Sequence, residues 1–463
     1  TSLHGQADLG YTARDYHELV DSPWMASAQL QRLDWVSEGV SFVLWMHGVP
    51  APDEAMQAQI CRQWEAMAKV QIQTLGQFPQ DEFHFILVGL PYAFYHGVEH
   101  RRCTVLALGP ASEIWTHLYR ELLGVASHEL FHAWNVKSFR PKGMESYRYE
   151  GWMYSDLGYV YEGFTTYYGD LFLVRSGCLL PDEYLEEVNA YLLRHSENYG
   201  RYNHGLRESS IDTWVDGYSQ SQSAPHRRVS IYAEGMLQAL HLDLVIRSST
   251  MNNESPASLD DLIRYLWKRF EQSPETPGYT QETLTLWLQE NVSVPSTYKN
   301  WGDYFRIHYE QPNSIEESLR SILPQFGCRL TTTPNEDRIK HLLGLQMKWN
   351  QAEPRVEHCV PGSPAALAGL GPDDRWLSWE IQTDSSDQSP AALNPSSDAD
   401  FLRKALTPAD SLRVRWITAL GHERQGVLRT HSTLRYYHHH KIELDLQAGP
   451  NELRARKQWL GIA

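Results

Sequence analysis

The sequence His128-Glu129-Leu130-Phe131-His132 decides how this chain is interpreted. It lies in a stretch whose apolar residues recur at helical spacing, and residues four apart on a helix share one face. Both imidazoles can therefore bind one metal ion, while Glu129 can reach a water on the open side of that ion. Two histidines and a glutamate at this spacing are typical of a zinc site with two histidine ligands and a general base. We predict that His128 and His132 bind one Zn²⁺ per chain.

A catalytic zinc takes a third protein ligand and keeps its fourth position for water. Glu162 lies on the next predicted helix, in Tyr161–Tyr168 (YEGFTTYY), so its carboxylate can face the same ion. Glu150 and Asp156 are nearer in sequence, but their turn-like connector suits a rigid ligand less well. We predict Glu162 as the third ligand; the alternative is an ordinary solvated helix glutamate.

These residue types predict metal-assisted hydrolysis. Bound zinc lowers the pKa of its water to about 7 and polarises a carbonyl group. Glu129 would accept the proton of that water and pass it to the leaving amine. The tetrahedral intermediate also needs a hydrogen-bond donor for its oxyanion, and a tyrosine from another helix would supply one.

Four stretches carry a resemblance to a known family: His128–Pro141 (HELFHAWNVKSFRP), Tyr161–Asp170 (YEGFTTYYGD), Val229–Arg247 and Gly97–His100 (GVEH). They resemble the glycyl aminopeptidases, zinc peptidases of the gluzincin type with a C-terminal PDZ domain. The resemblance implies that Tyr232 stabilises the oxyanion. It also implies that Gly97 and Glu99 bind substrate on an edge strand, where the Glu99 carboxylate would hold a free amino group.

Two neighbouring positions leave questions open. Gluzincins often have a lysine and a glycine after the tyrosine, whereas this chain has Glu234 before Gly235. We expect that difference to change the charge preference for substrates. Asn135 follows the second histidine by three residues and is either a support for His132 or a helix-surface residue.

The C-terminal part has a signature of its own. Val360–Leu370 (VPGSPAALAGL) closely resembles a stretch of bacterial PDZ domains, so we predict a PDZ-like domain there. Leu342–Leu345 (LLGL) could bind the carboxylate of a peptide C-terminus beside an edge strand. The alternative is a module that only packs. Thr383–Asp400 reads as an exposed loop. His438–His440 is not expected to bind one ion, because successive strand residues point to opposite faces.

The fold class predicted is α+β: a thermolysin-like metallopeptidase domain, with a small sheet and a helical subdomain, followed by a PDZ-like β-rich domain. The predicted divisions are 1–110 (mixed α/β part with the edge strand), 111–320 (helical catalytic subdomain), 325–445 (PDZ-like) and 446–463 (C-terminal extension). The predicted strands are Ser41–Met46, Phe83–Val88, Thr104–Leu108, Gln346–Trp349, Arg355–Cys359, Trp376–Glu380 and Leu412–Ile417. The predicted helices are Asp53–Thr74 with Asp53 as N-cap, Ala111 onward with Ser112 as N-cap, Val160–Val174, Pro181–Asn198, Tyr232–Arg247, Leu259–Glu271 and Gln281–Asn291.

Composition excludes some classes of partner. With 41 Lys and Arg against 57 Asp and Glu among 463 residues, the net charge is −16, which disfavours nucleic acid. No apolar run is long enough to span a membrane. The five cysteines are far apart, which predicts free thiols and a reducing, cytoplasmic location. The chain starts without Met, so we expect a fragment or processed form, and the N-terminal β domain of full-length relatives to be missing.

The combined prediction is a zinc-dependent aminopeptidase that releases small N-terminal residues, such as glycine, from peptides. One alternative is an endopeptidase of protein quality control whose PDZ-like domain presents C-terminal tails. Another is a non-catalytic PDZ scaffold with a structural zinc. Glu129 argues against the scaffold, because a structural zinc needs no general base.

Overall fold

The computed structural model describes residues 1–6, 10–145, 148–216, 224–273, 278–349, 353–382, 399–431 and 433–462. Its strands are β1 (His4–Gln6), β2 (Gly10–Thr12), β3 (Gln31–Ser37), β4 (Val40–His47), β5 (Glu82–Gly89), β6 (Phe94–Glu99), β7 (Cys103–Gly109), β8 (Cys328–Thr333), β9 (Leu345–Lys348), β10 (Arg355–Cys359), β11 (Arg375–Gln382), β12 (Ser411–Ile417), β13 (Glu423–Arg429) and β14 (His439–Leu444).

The helices are α1 (Tyr16–Val20), α2 (Glu54–Leu75), α3 (Tyr119–Phe131), α4 (Thr165–Arg175), α5 (Pro181–Glu197), α6 (Leu206–Asp216), α7 (Ala224–Arg227), α8 (Ala233–Thr250), α9 (Leu259–Gln272), α10 (Gln281–Asn291), α11 (Trp301–Phe305), α12 (Glu316–Ile322), α13 (Arg338–Leu343), α14 (Pro364–Leu367), α15 (Ala399–Ala405) and α16 (Pro450–Leu460). The α+β class predicted from the sequence is therefore confirmed.

The N-terminal sheet has the strand order β3-β4-β5-β7-β6. Strands β4, β5 and β7 run parallel, β3 is antiparallel to β4, and β6 is antiparallel to β7. The three predicted strands of this region are confirmed, each slightly longer than expected. Strand β6 lies at the edge, so one of its sides is open to an added peptide strand.

Helix α2 covers this sheet as its apolar spacing predicts. The side chain of Asp53 caps it by accepting a hydrogen bond from the Met56 amide at 2.8 Å. The buried face includes Trp64, whose ring meets Phe85 edge to face at 4.8 Å between centroids. Burial of a side chain of this size stabilises the fold by about 1.5–3 kcal/mol, so this face fixes the helix on the sheet.

The predicted start of the helix that carries the first histidine is wrong. Ala111–Glu113 form a 3₁₀ turn, and α3 begins at Tyr119 without a side-chain cap from Ser112 or any other residue at its N-cap. The indole of Trp115 donates to the Pro50 carbonyl at 2.7 Å, which anchors the intervening turn to another segment. Apolar spacing over this stretch therefore reports burial in the core and not one continuous helix.

The segment before α4 is wider than an ordinary helix. Tyr159–Phe164 is π-helical, and the regular helix follows from Thr165, so the predicted helix Val160–Val174 exists with an irregular first part. Gly163 faces Gly235 of α8 so closely that an added Cβ would lie 2.5 Å from the Gly235 Cα atom. Such π-turns are frequent at functional sites, and this one contains Glu162. The other predicted helices of the catalytic part are confirmed to within a few residues.

A second, separate hydrophobic core lies between Ile339 and Leu428. Its antiparallel sheet has the order β13-β12-β11-β10-β9, and α13, α14 and α15 pack with it. The four predicted strands of this region are confirmed, while β13 was not predicted. Residues 383–398 of the predicted loop Thr383–Asp400 lie outside the described residues, and its last two residues begin α15. The predicted domain boundaries stay predictions.

The last strand and helix of the chain pack against the larger hydrophobic core, which is formed by the N-terminal sheet and the helices of the catalytic part. Strand β14 pairs with β8 in a separate two-stranded sheet, and Trp459 of α16 donates to the Tyr167 hydroxyl at 3.0 Å. His440 of β14 lies 3.4 Å from Glu316, whereas the ring of His438, just before this strand, packs on His341. All five cysteines are unpaired. Among the described residues, no helix combines the length and apolar character needed to cross a bilayer.

Candidate metal centre and substrate cleft

Helix α3 and the π-helical segment bring three candidate ligand atoms together. The Nε2 atoms of His128 and His132 lie 3.0 Å apart, and each lies 3.4 Å from Oε2 of Glu162. Ligand atoms about 2.05 Å from a tetrahedral zinc are separated from one another by roughly 3.3 Å. The three atoms therefore have the mutual spacing of ligands around one zinc ion.

The hydrogen bonds around His132 give it the tautomer that a metal ligand needs. Its Nδ1 donates to the backbone carbonyl of Asn135 at 2.7 Å, which leaves a lone pair on Nε2. The Asn135 side chain is buried and donates to the Val160 carbonyl at 3.0 Å and the Thr165 hydroxyl at 3.3 Å. Of the two alternatives from the sequence, Asn135 therefore supports His132, and it also ties α3 to the segment that carries Glu162.

The carboxylate of Glu162 fits a cation. Its Oε2 is buried and has no hydrogen-bond partner within the described part of the chain, which is costly for an oxygen without an ion. Burial acts to raise the pKa of Glu162, but the interactions with His132 and His128 together outweigh burial and hold the pKa at about 2. The donor set, two imidazoles and one ionised carboxylate, is that of a catalytic zinc site.

Glu129 is also close to the histidines, but it has a different environment. His128, Glu129 and His132 offer ligand atoms within 4.8 Å of one another. The Glu129 carboxylate, however, packs on strand β6, where a Cβ added at Gly97 would lie 2.7 Å from its Cδ atom. The Thr104 hydroxyl donates to it at 3.5 Å. Burial, with repulsion from Glu99 and Glu162, raises the pKa of Glu129 to about 8, which suits proton exchange near neutral pH.

Tyr232 and Glu99 line the same cleft as the histidines. The Tyr232 ring stacks at 6.5 Å from the His128 ring, just before the first turn of α8. Glu99 ends edge strand β6 and is partly buried. Its charge acts to raise the pKa values of both histidines. The cleft has a volume of about 520 Å³.

The expectation for Glu234 is wrong. Its side chain is buried and accepts a hydrogen bond from His195 Nδ1 at 2.6 Å, inside the packing between α5 and α8. It does not line the cleft and cannot set the charge preference for substrates. The direction of the side chain is decided by α5, which the local sequence around Tyr232 does not contain.

Two further residues at the site, Thr104 behind Glu129 and Asp170 in the cleft, were not predicted from the sequence. Thr104 and Asp170 lie in segments that were recognised as a strand and as a family-like stretch, yet neither residue was predicted to act at the site. Asp170 is buried in the cleft, eight residues after Glu162. Burial, with a contribution from Glu187, raises the pKa of Asp170 to about 8. The spacing of eight on a helix was the available signal, since it keeps both carboxylates on similar faces.

The fold and the site together define the class of protein, a zinc metallopeptidase. The family model of the M61 glycyl aminopeptidases matches residues 121–238, which contain the following site residues: His128, Glu129, His132, Glu162 and Tyr232. The resemblance seen in the sequence is thus confirmed for the segment that builds the metal centre. The match includes neither Glu99 nor the second core.

One of the similar solved structures supports the fold. An aminopeptidase N family protein from Idiomarina loihiensis superimposes with a TM-score of 0.80 and 22% identity, covering 99% of this chain and 75% of that one. An M1 zinc metallopeptidase from Deinococcus radiodurans has a TM-score of 0.35, 16% identity and coverages of 57% and 48%. Yeast LTA4 hydrolase in complex with bestatin has values of 0.38, 14%, 64% and 43%. No curated protein sequence matches the chain.

Proposed function

We propose that this protein removes small N-terminal residues, glycine among them, from peptides, using one Zn²⁺ held by His128, His132 and Glu162. The observation that carries the proposal is the mutual spacing of the three ligand atoms, 3.0 to 3.4 Å. The family that matches residues 121–238 is one of glycyl aminopeptidases, which supports the residue preference. When bound, the ion would supply Lewis-acid polarisation and an activated water.

In this proposal Glu129 is the general base. It accepts a proton from the attacking water and later delivers it to the leaving amine. The absence of a side chain at Gly97 lets its carboxylate pack against β6, and the Thr104 hydroxyl restrains one oxygen. The phenol of Tyr232 donates a hydrogen bond to the oxyanion that develops on the scissile carbonyl. Its stacking beside His128 supports this role.

Glu99 is proposed as the anchor for the substrate's free amino group. A carboxylate at the end of an edge strand can form a charge-assisted hydrogen bond with an ammonium group. That contact holds the first residue of a peptide and excludes chains that continue beyond it. Strand β6 would guide the remaining backbone by β-augmentation.

Two variants test the assignment. We expect Glu129→Gln to lower kcat on a glycyl peptide by about 10²- to 10⁴-fold, since general acid–base catalysis contributes that much, while the zinc content stays at one per chain. We expect Glu99→Gln to lower kcat/KM about 10- to 100-fold. The parent enzyme should barely hydrolyse the same peptide after N-acetylation. Equal rates for free and acetylated peptides would instead indicate an endopeptidase.

The second core is proposed to be a PDZ-like domain that binds peptide C-termini. Its support is an antiparallel sheet whose edge strand, β9, is joined to α13 by Gly344 alone, in a left-handed conformation (φ 62°). The Gly344 N–H donates to the Lys340 carbonyl at 3.1 Å and closes α13. A peptide C-terminus can add to the open edge of β9 as a further strand. The test is fluorescence anisotropy with paired peptides that end in a free acid or an amide; equal binding of both would contradict the proposal. The cytoplasmic location stays a prediction.

A further inference from the structure

A buried carboxylate lies in the cleft away from the metal centre. Asp170 of α4 is only 9% exposed, and its Oδ2 has no hydrogen-bond partner among the described residues. An unpaired buried acid is costly, because desolvation disfavours its charge and leaves its lone pairs unused. Since this oxygen faces a cleft that admits substrate, its missing partner is best supplied by the ligand.

Position along the cleft shows which part of a peptide would reach Asp170. On strand β6 the order is Glu99, then Gly97 beside Glu129, then Tyr95, each step about 7 Å. Tyr95 and Asp170 both line the cleft. Burial raises the pKa of the Tyr95 hydroxyl, and the charge of Asp170, which reaches that hydroxyl, adds to the rise. These observations associate Asp170 with the Tyr95 end of β6, whereas Glu99 lies at the other end of that strand.

The distance along α4 is compatible with this placement. Eight residues at 1.5 Å per residue separate Asp170 from Glu162 by about 12 Å. If Glu99 holds the amino group and the scissile carbonyl lies at the metal centre, the second residue of the peptide extends toward Asp170. Successive Cα atoms are about 3.8 Å apart, so only a long side chain on that residue would reach the carboxylate.

The walls of this part of the cleft suit a side chain with an apolar stem and a cationic end. Leu173 and Leu179 are buried apolar residues of the cleft, and Tyr95 and Tyr191 add aromatic surface. Lysine and arginine pack their stems on such surface and keep the charge at the tip.

The charge balance around Asp170 leaves room for a ligand cation. Burial raises the pKa of Asp170 to about 8, so its carboxyl is largely protonated at neutral pH while the cleft is empty. Arg120 and Arg194 act to lower that pKa without restoring its ordinary value, because Arg120 also lies 2.7 Å from Glu187 and 3.0 Å from Glu186 and Arg194 stacks on the Tyr191 ring at 5.3 Å. A ligand cation would lower the pKa further and bind the ionised carboxylate.

We propose that Asp170 is a specificity-determining residue that binds a lysine or arginine side chain on the second residue of the substrate. This inference rests on the proposed aminopeptidase function and adds a preference for basic residues after the scissile bond. The first residue would be selected at the Glu99 side of the cleft, and the second at Asp170.

The test compares two tripeptides that differ by one charge, Gly-Lys-Gly and Gly-norleucine-Gly. We expect the parent to prefer the lysine peptide by about 10- to 100-fold in kcat/KM, the usual range for a hydrogen bond to a charged group. In Asp170→Asn the ratio should fall to near 1, with the norleucine peptide still cleaved as proof of an intact fold. Glu121→Gln removes an exposed acid from the same cleft and should keep the preference.

Calorimetric titration of both peptides into Glu129→Gln separates this inference from the proposed function. Discrimination in binding without hydrolysis by the parent would retain the pocket and reject the peptidase. Hydrolysis with a ratio near 1 in the parent, or an unchanged ratio in Asp170→Asn, would overturn the pocket and leave the peptidase standing. If Asp170→Asn lowered kcat/KM equally for both peptides, the proposed pocket would also be overturned, because the effect would not depend on the second residue of the substrate.

Discussion

Replacing Gly97 by alanine should inactivate the enzyme without unfolding it. The added Cβ atom would lie 2.7 Å from Cδ and 2.8 Å from Cγ of Glu129. Carbon atoms in van der Waals contact are about 3.5–4.0 Å apart, so the carboxyl group must retreat by about 1 Å. Since the side chain of Glu129, on α3, is buried against β6, it cannot avoid the methyl group by turning into solvent.

The magnitude follows from that displacement. Misplacing a catalytic group by 1 Å costs about 10²-fold in rate, which corresponds to about 2.7 kcal/mol of activation free energy. We therefore expect kcat on a glycyl peptide to fall by about 10²-fold. The free energy of unfolding should change little, because alanine in a strand loses less backbone entropy on folding than glycine. This gain of about 0.5–1 kcal/mol offsets part of the cost of the contact with Glu129.

The assay measures kcat, zinc content and the urea midpoint of Gly97→Ala beside the parent. Gly371→Ala is the matched control, because an added Cβ there meets no atom within 4 Å. It should keep both activity and stability. Full activity of Gly97→Ala with a normal zinc content would refute the reasoning, since it would show that the position of Glu129 against β6 is not required.

Three further predictions concern the metal, a buried histidine and a helix contact. Removal of the metal by a chelator should abolish peptidase activity and lower Tm, because an ion that binds only the folded state stabilises it; added Zn²⁺ should restore both, and Glu162→Gln should weaken that recovery. Burial acts to lower the pKa of His195, but Glu234 and Glu316 together raise it to about 9, above the unfolded value of 6.5. The stabilisation that protonated His195 provides is therefore complete below pH 6.5 and is lost as pH rises through 9. The free energy of unfolding, measured with urea, should differ between the parent and His195→Gln, and this difference should narrow by on the order of 3 kcal/mol over that range. A difference that stays constant with pH would contradict the pairing of His195 with the glutamates. Gly163→Ala should lower Tm by several degrees, because its Cβ would lie 2.5 Å from the backbone of Gly235; an unchanged thermal scan would show that the two segments can separate at no cost.

The local sequence was sufficient for the metal centre and for most of the secondary structure. His128 and His132 share a helix face because helical periodicity puts them there, and periodicity also gave α2, α5, α9 and α10. The start of α3 was not predictable in this way, because the turn before it depends on Trp115, which is anchored to the carbonyl of Pro50. Similarly, β13 is largely exposed and lacks the alternating pattern of its neighbours.

The sequence by itself determined the chemistry of the site: which side chains can bind a divalent ion and which carboxylate is placed to move a proton. Only the tertiary structure decided how those groups are oriented and which groups they contact. Asn135 presents its carbonyl to His132, and Glu234 turns inward to His195. Oδ2 of Asp170 is left without a hydrogen-bond partner in the part of the chain that the structure describes. Each of these depends on contacts between helices or turns that a local pattern cannot specify, because burial and hydrogen bonding are properties of the packed chain.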